Sequence, residues 1–313
     1  MTAERTPTDI DRIAEGWVDT LCQLDPDYLV WLGRDGDVTG FADYSPEGHE
    51  AHSAAVRSTL SALRAAQPVD DIDRVTKLDL TANLELALEI DDSKWHLRDL
   101  NNIASPAQGL RDVFDLMPTD GPEAWEAIAG KLGNVAEALA GYRRSLEAGI
   151  RSGTTPARRQ IVEVIAQAER NAGPEGFFVD FATNSAPESL PESLRAQLRT
   201  SAESARMAYL EFANFLKNDL APAAHDVDGV GRDVYQLHSR SFLGAKVDLD
   251  ETYAWGLEEL ARMTAEQETI AKRIAGGSVA DAVTALDNDP RRKIHGTDAL
   301  QAWMQNLSDT AVR

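Results

Sequence analysis

Cysteine, basic charge and long apolar runs are all scarce in this chain of 313 residues. The single cysteine, Cys22, excludes an intramolecular disulfide and any metal site built from several cysteines. Cys22 lies on the apolar stripe of a helix predicted to begin after Thr8. We therefore expect it to be a buried core residue and not a reactive thiol.

Long hydrophobic segments are missing as well. The first residues, MTAERTPTDIDRIAEG, lack the basic and apolar regions of a signal peptide, and the run YLVWLG is too short to span a bilayer. The sequence therefore predicts no membrane segment, and we expect a cytoplasmic location.

Basic charge is low relative to acidic charge. Lysine and arginine total 31 against 52 aspartate and glutamate residues, which gives a net charge of -21. A nucleic-acid ligand needs a basic surface for its phosphates, so we exclude nucleic acid as a partner. Repulsion between this negative charge and anionic lipid headgroups also argues against binding to an anionic membrane.

Apolar residues recur at three- and four-residue steps along nearly the whole chain, and two-residue alternation is rare. This periodicity predicts an all-α fold with many helices. Capping residues and first-turn prolines mark several helix starts: Thr8 with Asp11, Ser45-Pro46, Ser105-Pro106 and Thr155-Pro156.

Two stretches suggest breaks in this pattern. Residues 125–132 and 135–150 carry separate apolar stripes, which predicts two helices that form a hairpin. Residues 171–190 are rich in glycine, proline, serine and asparagine, and they are the best candidate for an internal sub-boundary.

The last predicted helix carries an apolar stripe that needs a covering neighbour. Neither glycine nor proline ends this helix, and its stripe consists of Leu300, Trp303, Met304, Leu307 and Ala311. Gly256, inside an earlier helix, indicates a second face on which a neighbouring helix packs closely. The uncovered stripe of the last helix predicts that the chain belongs to a larger domain.

The pattern GHEAH at residues 48–52 comes closest to a metal motif. Zinc peptidases carry H-E-x-x-H, which aims two imidazoles one helical turn apart at one ion. His49 and His52 are one residue too close for that motif, and no third ligand is evident. We interpret them as part of a solvated first turn.

The other polar residues form no complete catalytic constellation. We interpret the acidic run at 89–92 as an exposed helix end, and His96 as isolated. The loop at 225–233 lacks the oxygen ligands of a calcium site. His238 shares a face with Tyr235, where it either lines a cleft or is a satisfied core histidine. We predict no catalytic residue and no metal ligand in this chain.

Residues 230–274 carry a recognisable pattern, in which glycine and tyrosine precede an acidic run and Tyr-x-x-Gly-x-x-Glu. The matching positions are Gly231, Tyr235, Asp248, Asp250, Glu251, Tyr253, Gly256 and Glu259. The pattern resembles the bacterial family catalogued as domain of unknown function 885. Further stretches agree with it: DPDYLVWLG, DYSPEG, NNIASPAQGLRDVFDLMPT, GYRRSLEAGIRSG and RRKIHGTDALQAWMQ.

The resemblance implies a function that the residues alone do not. Members of that family are similar to helical zinc metallopeptidases of the gluzincin type, and they place an H-E-G-x-x-G-H-H element in their second half. This chain has no such element. The resemblance therefore implies that residues 1–313 are the N-terminal half of a larger metallopeptidase-like domain, an elongated helical array that forms one side of it.

In such a peptidase the N-terminal helices build one wall of the substrate cleft. The resemblance then implies a short peptide as the substrate of the full-length protein, and zinc as its cofactor, with no cofactor in this chain. The missing C-terminal half is the implied partner. Arg232, Tyr235 and His238 are the candidate residues for lining the cleft.

A second hypothesis belongs to a different class of protein. The chain is then a non-catalytic, all-helical protein-interaction module that binds a partner through the exposed stripe of its last helix. An H-E-x-x-H motif encoded beyond residue 313 supports the peptidase hypothesis, and its absence supports the interaction module.

Overall fold

The computed structural model describes residues 5–313, and no β-strand occurs among them. This confirms the predicted all-α class. The helices are α1 (Asp9–Leu24), α2 (Asp27–Leu32), α3 (Pro46–Ala65), α4 (Asp71–Asp92), α5 (Pro106–Asp112), α6 (Pro122–Ser152), α7 (Arg158–Asn171), α8 (Phe177–Asp180), α9 (Glu192–Phe215), α10 (Ala221–Ala223), α11 (Arg232–Leu243), α12 (Leu249–Ala275), α13 (Val279–Asp287) and α14 (Thr297–Val312). Short 3-10 helices lie at Trp95–Leu97, Val113–Asp115 and Pro290–Arg292, and π-helical turns at Phe181–Ser185 and Leu216–Leu220.

The chain divides into two compact units, one up to Ala245 and one from Lys246 to Arg313. The stretch 171–190, where the sequence suggests a sub-boundary, lies inside the first unit. Its Phe178 is fully buried and packs on Tyr209, with ring centroids 4.9 Å apart. This stretch therefore contributes to the core of the first unit.

Local sequence rules determine where the first helices begin. Thr8 and Asp11 form the predicted reciprocal capping box at the start of α1. Ser45 precedes Pro46, and its Oγ accepts a hydrogen bond from the Gly48 amide at 3.2 Å. Cys22 is buried, as predicted. Capping and apolar spacing are thus sufficient to position these helices.

The predicted hairpin within residues 125–150 is wrong, because α6 runs unbroken from Pro122 to Ser152. The glycines of this segment are places where other chain segments approach the helix, and they do not end it. A Cβ at Gly130 would meet the Thr39 side chain, and one at Gly149 would meet the carbonyl oxygens of Leu97 and Thr154. Packing of α6 against these segments offsets the helix propensity that glycine lacks.

Helices α6 and α9 pack along each other and form the centre of the first unit's core. Tyr142 of α6 and Phe212 of α9 have ring centroids 5.4 Å apart. The buried hydroxyl of Tyr142 donates to the Asp99 carbonyl oxygen, and that of Tyr209 donates to the Ala107 carbonyl oxygen. Neither hydroxyl is left without a partner, so its burial carries little penalty.

A smaller apolar cluster joins α1, α3 and α4 in the first unit. Its buried members are Trp17, Val56, Leu60, Leu63 and Leu84. The cluster holds α3 and α4 side by side, and it therefore brings the first turn of α3 close to the last turn of α4.

A buried ion pair attaches α2 to α6. Lys131 Nζ lies 2.6 Å from Asp27 Oδ1, and both side chains are almost fully buried. The same ammonium group donates to the carbonyl oxygens of Val38 at 3.0 Å and Gly40 at 2.6 Å. Burial raises the pKa of Asp27 and lowers that of Lys131, whereas attraction between the two charges opposes both shifts. Through these hydrogen bonds Lys131 also holds Val38 and Gly40, which lie in the segment that leads to α3.

In the second unit, α12 packs against α13, and Ala271 and Ala282 are its buried apolar residues. Many large apolar side chains of α12 and α14 remain exposed, among them Tyr253, Trp255, Leu257, Leu260, Trp303, Met304 and Leu307. The close neighbour predicted at Gly256 is not found within the second unit, where no atom outside the adjacent turns of α12 lies within 4 Å of a Cβ built there.

Candidate functional site

The three predicted cleft residues follow one another at three-residue steps along α11. Arg232 and Tyr235 are exposed, and 57 % of the Tyr235 surface is accessible. His238 is half-buried, and its ring packs on Trp95 with centroids 4.3 Å apart. Burial, reinforced by the nearby charge of Arg98, lowers the pKa of His238, so its imidazole is neutral near pH 7. Tyr235 and the neutral His238 therefore provide uncharged aromatic groups, and Arg232 adds one guanidinium at the start of the helix.

A pocket of about 170 Å³ lies beside this helix start. Trp95, Arg98, His225 and Val230 belong to its lining. The Arg98 guanidinium lies 5.4 Å from the centre of a Trp95 ring, and its Nη2 donates to the Val230 carbonyl oxygen at 3.5 Å. The pocket and α11 therefore share Trp95 as a common wall.

A second group of polar side chains meets around His96, the residue that follows Trp95. His49 in the first turn of α3, Asp91 in the last turn of α4 and His96 in the 3-10 helix offer ligand atoms that all lie within 4.8 Å of one another. His96 Nδ1 is 3.1 Å from Asp91 Oδ1, and the two imidazole rings stack with centroids 4.5 Å apart. Ser53 Oγ donates to Asp91 Oδ2 at 2.7 Å. We call these three ligand residues the His/Asp cluster.

Local backbone geometry brings the His/Asp cluster together. Gly48, directly before His49, lies so close to the Asp43 carbonyl oxygen that a Cβ at this position would overlap it. Lys94, between Asp91 and His96, has a left-handed φ of +62°, which turns the chain sharply after α4. Gly149 of α6 leaves room for the Leu97 carbonyl oxygen, so the 3-10 helix packs directly on α6.

The imidazoles near this cluster are neutral at pH 7. Burial, reinforced by the neighbouring His96, lowers the pKa of His49 to about 4. Burial also lowers the pKa of His52 and of His96, although the carboxylate of Asp91 opposes both shifts. Neutral imidazole has a free lone pair, which is the form that binds a metal ion.

His49 and His52 also border a pocket of about 310 Å³. Tyr28, Asp43 and Glu47 contribute to the same lining. The pocket gives the His/Asp cluster a neighbouring space through which water or a small ligand can reach His49.

A family of known proteins matches most of the chain. The family described as "Bacterial protein of unknown function (DUF885)" matches residues 26–313. The chain belongs to this family. The family resemblance noted in residues 230–274 is thereby confirmed. No curated protein matches the chain.

The fold of this DUF885 chain also occurs in a solved structure. A crystal structure described as a "putative lipoprotein from Colwellia psychrerythraea" aligns with a TM-score of 0.71 at 16% identity. The alignment covers 97% of this chain and 58% of that protein, so this chain spans less than two thirds of the relative's length. None of the helices described between residues 5 and 313 is both long enough and apolar enough to cross a membrane.

The sequence interpretation of the histidines in this DUF885 chain needs correction. His49 and His52 are half-buried, so the predicted solvated turn is wrong. His96 is not isolated, because it contacts Asp91 and His49, and Asp91 is half-buried at its helix end. His52 points elsewhere and meets Trp17, with ring centroids 6.0 Å apart. The nearness of Asp91 to His96 in sequence was the one available signal, since His49 comes from a different helix.

Proposed function

We propose that this DUF885 chain is the N-terminal helical half of a zinc-dependent, peptidase-like hydrolase. Its helices supply the scaffold and one wall of the substrate cleft, and the catalytic zinc is bound by an H-E-x-x-H element outside residues 1–313. Short peptides are the proposed substrates. The observation that carries the proposal is the set of large apolar side chains on α12 and α14, which the rest of the second unit leaves exposed.

This apolar surface has the chemistry of a helix-packing interface. Trp255 is 62 % exposed and Trp303 51 % exposed. Burying an aromatic side chain of this kind contributes roughly 2–3 kcal/mol, so such a surface favours a covering partner. Gly256 has no side chain, so a further helix can approach the backbone closely at this position. The relative from Colwellia psychrerythraea is long enough to contain such a covering segment, since the alignment leaves 42% of it unmatched (100% minus the 58% covered).

The cleft wall is assigned to the exposed side of α11. Tyr235 and Phe242 are large aromatic side chains that reach solvent on this helix, and neither is needed for the core of the first unit. Aromatic surfaces of this type bind peptide side chains and backbones without requiring one sequence. His238 adds a neutral hydrogen-bonding group, and Arg232 a positive charge that suits a peptide carboxylate.

A kinetic experiment tests whether these three residues of α11 line the substrate cleft. In the complete zinc-loaded protein, Arg232→Ala, Tyr235→Ala and His238→Ala are each expected to raise KM for short peptides about tenfold while kcat changes little, because binding contacts are lost without change to the zinc. Ile103→Ala is the matched control, since Ile103 is exposed in the same unit and belongs to no helix. Variants that leave KM unchanged, or that alter it no more than Ile103→Ala does, contradict the assignment.

The alternative of a non-catalytic interaction module uses the same apolar surface of α12 and α14. In that case a separate protein covers the surface, and no peptide is cleaved. The two hypotheses differ in whether the covering segment and a zinc motif belong to the same polypeptide.

A further inference from the structure

We infer that the His/Asp cluster of His49, Asp91 and His96 is a binding site for one divalent transition-metal ion of the zinc class. The site is distinct from the proposed catalytic zinc, because all three ligands lie within residues 5–313 and need no H-E-x-x-H element. The ion joins the start of α3, the end of α4 and the 3-10 helix that follows.

The donor set selects the class of metal. Two imidazole nitrogens and one carboxylate oxygen suit Zn²⁺ and its neighbours, whereas Ca²⁺ and Mg²⁺ require a shell made mainly of oxygen atoms. Three protein ligands leave a fourth tetrahedral position open. His49 borders the pocket of about 310 Å³, which gives that position room for water.

The distances require only small movements of the side chains. Ligand atoms around a tetrahedral Zn²⁺ are separated by about 3.3 Å, given metal–ligand bonds of roughly 2.0–2.2 Å. His96 Nδ1 and Asp91 Oδ1 are already 3.1 Å apart, and the largest separation in the cluster is within 4.8 Å. Rotations of the His49 side chain cover the difference, because its ring packs against His96 and is not hydrogen-bonded elsewhere among the contacts described.

Two further observations point to a ligand at this position. His96 Nδ1 is buried and lies 3.1 Å from Asp91 Oδ1, and it makes no hydrogen bond of standard geometry. An ion bound between them satisfies both atoms. Ser53 is itself buried and donates to the other oxygen, Asp91 Oδ2, at 2.7 Å, which leaves Oδ1 free to coordinate. Support of a ligating carboxylate by a second hydrogen bond is a regular feature of zinc sites.

An ion at this site also affects the proposed cleft wall. His96 is adjacent to Trp95, which supports the ring of His238 on α11. Fixing the 3-10 helix through His96 therefore fixes Trp95. Metal binding is expected to make the environment of His238 more rigid without contacting substrate.

The test is a Zn²⁺ titration of the metal-stripped 313-residue chain against a chromophoric chelator. Excess Mg²⁺ is included, because it occupies weak sites on exposed carboxylates. We expect one Zn²⁺ per chain, an affinity at least about 100-fold lower in His49→Ala, Asp91→Asn and His96→Ala, and an affinity about tenfold lower in Ser53→Ala. With Co²⁺ as the probe, the visible absorption spectrum is expected to change in the His96→Ala variant.

Four controls keep the result interpretable. Asp91→Asn preserves the size of the side chain, and circular dichroism confirms that each variant is folded. His52→Ala removes the histidine one turn along α3, and His295→Ala removes an exposed histidine of the second unit, so both are expected to bind Zn²⁺ as the unaltered chain does. The inference is overturned if no stoichiometric Zn²⁺ binds, or if binding survives both His96→Ala and Asp91→Asn. Loss of binding in His52→Ala with retention in His96→Ala also overturns it. None of these outcomes depends on peptide cleavage.

Discussion

Lys131→Met is expected to lower the free energy of unfolding by about 3–5 kcal/mol, the largest effect of any single substitution proposed for this chain. The substitution leaves Asp27 buried without its counter-charge, 2.6 Å from where Nζ lay. It also removes the donor to the carbonyl oxygens of Val38 and Gly40. Chemical denaturation followed by circular dichroism measures the change.

The reason for this effect is the removal of one partner, and not the loss of a strongly stabilising ion pair. An apolar pair of similar size has no charge to desolvate, so Asp27→Leu combined with Lys131→Met is expected to be more stable than Lys131→Met alone. Arg64→Met is the matched control, because the Arg64–Glu85 pair is 2.8 Å long but largely exposed. We expect the control to cost no more than about 1 kcal/mol. Equal losses for Lys131→Met and Arg64→Met contradict the account.

Gly149→Ala is expected to destabilise the chain by about 3 kcal/mol, at the upper end for overpacking. A Cβ at Gly149 would lie 2.5 Å from the Thr154 carbonyl oxygen and closer still to that of Leu97. Both obstacles are backbone atoms, so no side chain can rotate away, and the 3-10 helix that carries His96 must shift. The free energy of unfolding again measures the effect, and Zn²⁺ affinity is expected to fall with it.

The same helix supplies a control for Gly149→Ala. A Cβ at Gly133 would meet only Ser201 Oγ, at an ordinary distance of 3.6 Å. Gly133→Ala is therefore expected to be neutral or to stabilise the chain by up to about 1 kcal/mol, because alanine favours the helix. If both substitutions change stability alike, then close approach at Gly149 does not position the 3-10 helix.

Local rules account for much of what the sequence predicts correctly. The capping pair Thr8 and Asp11, the proline after Ser45 and the spacing around Cys22 each depend on residues within one or two turns, and the structure confirms them. The hairpin prediction within α6 failed for a non-local reason. Gly130 and Gly149 of this helix are approached by Thr39 and Leu97, and no single-sequence pattern reveals such contacts.

The candidate sites were harder to predict than the helices. The His/Asp cluster depends on α3 and α4 lying side by side and on the left-handed backbone at Lys94, so no local sequence pattern links His49 to His96. The expectation that this chain holds no metal ligand remains untested, and the Zn²⁺ titration decides it. The cytoplasmic location likewise remains a prediction.

The most direct test of the proposed function is peptide hydrolysis by the complete protein encoded by the gene, compared with the 313-residue chain. We predict that the zinc-loaded complete protein cleaves members of a short-peptide library, that chelation abolishes this activity, and that the 313-residue chain alone cleaves none. A complete, folded and zinc-loaded protein that hydrolyses no peptide in the library contradicts the account.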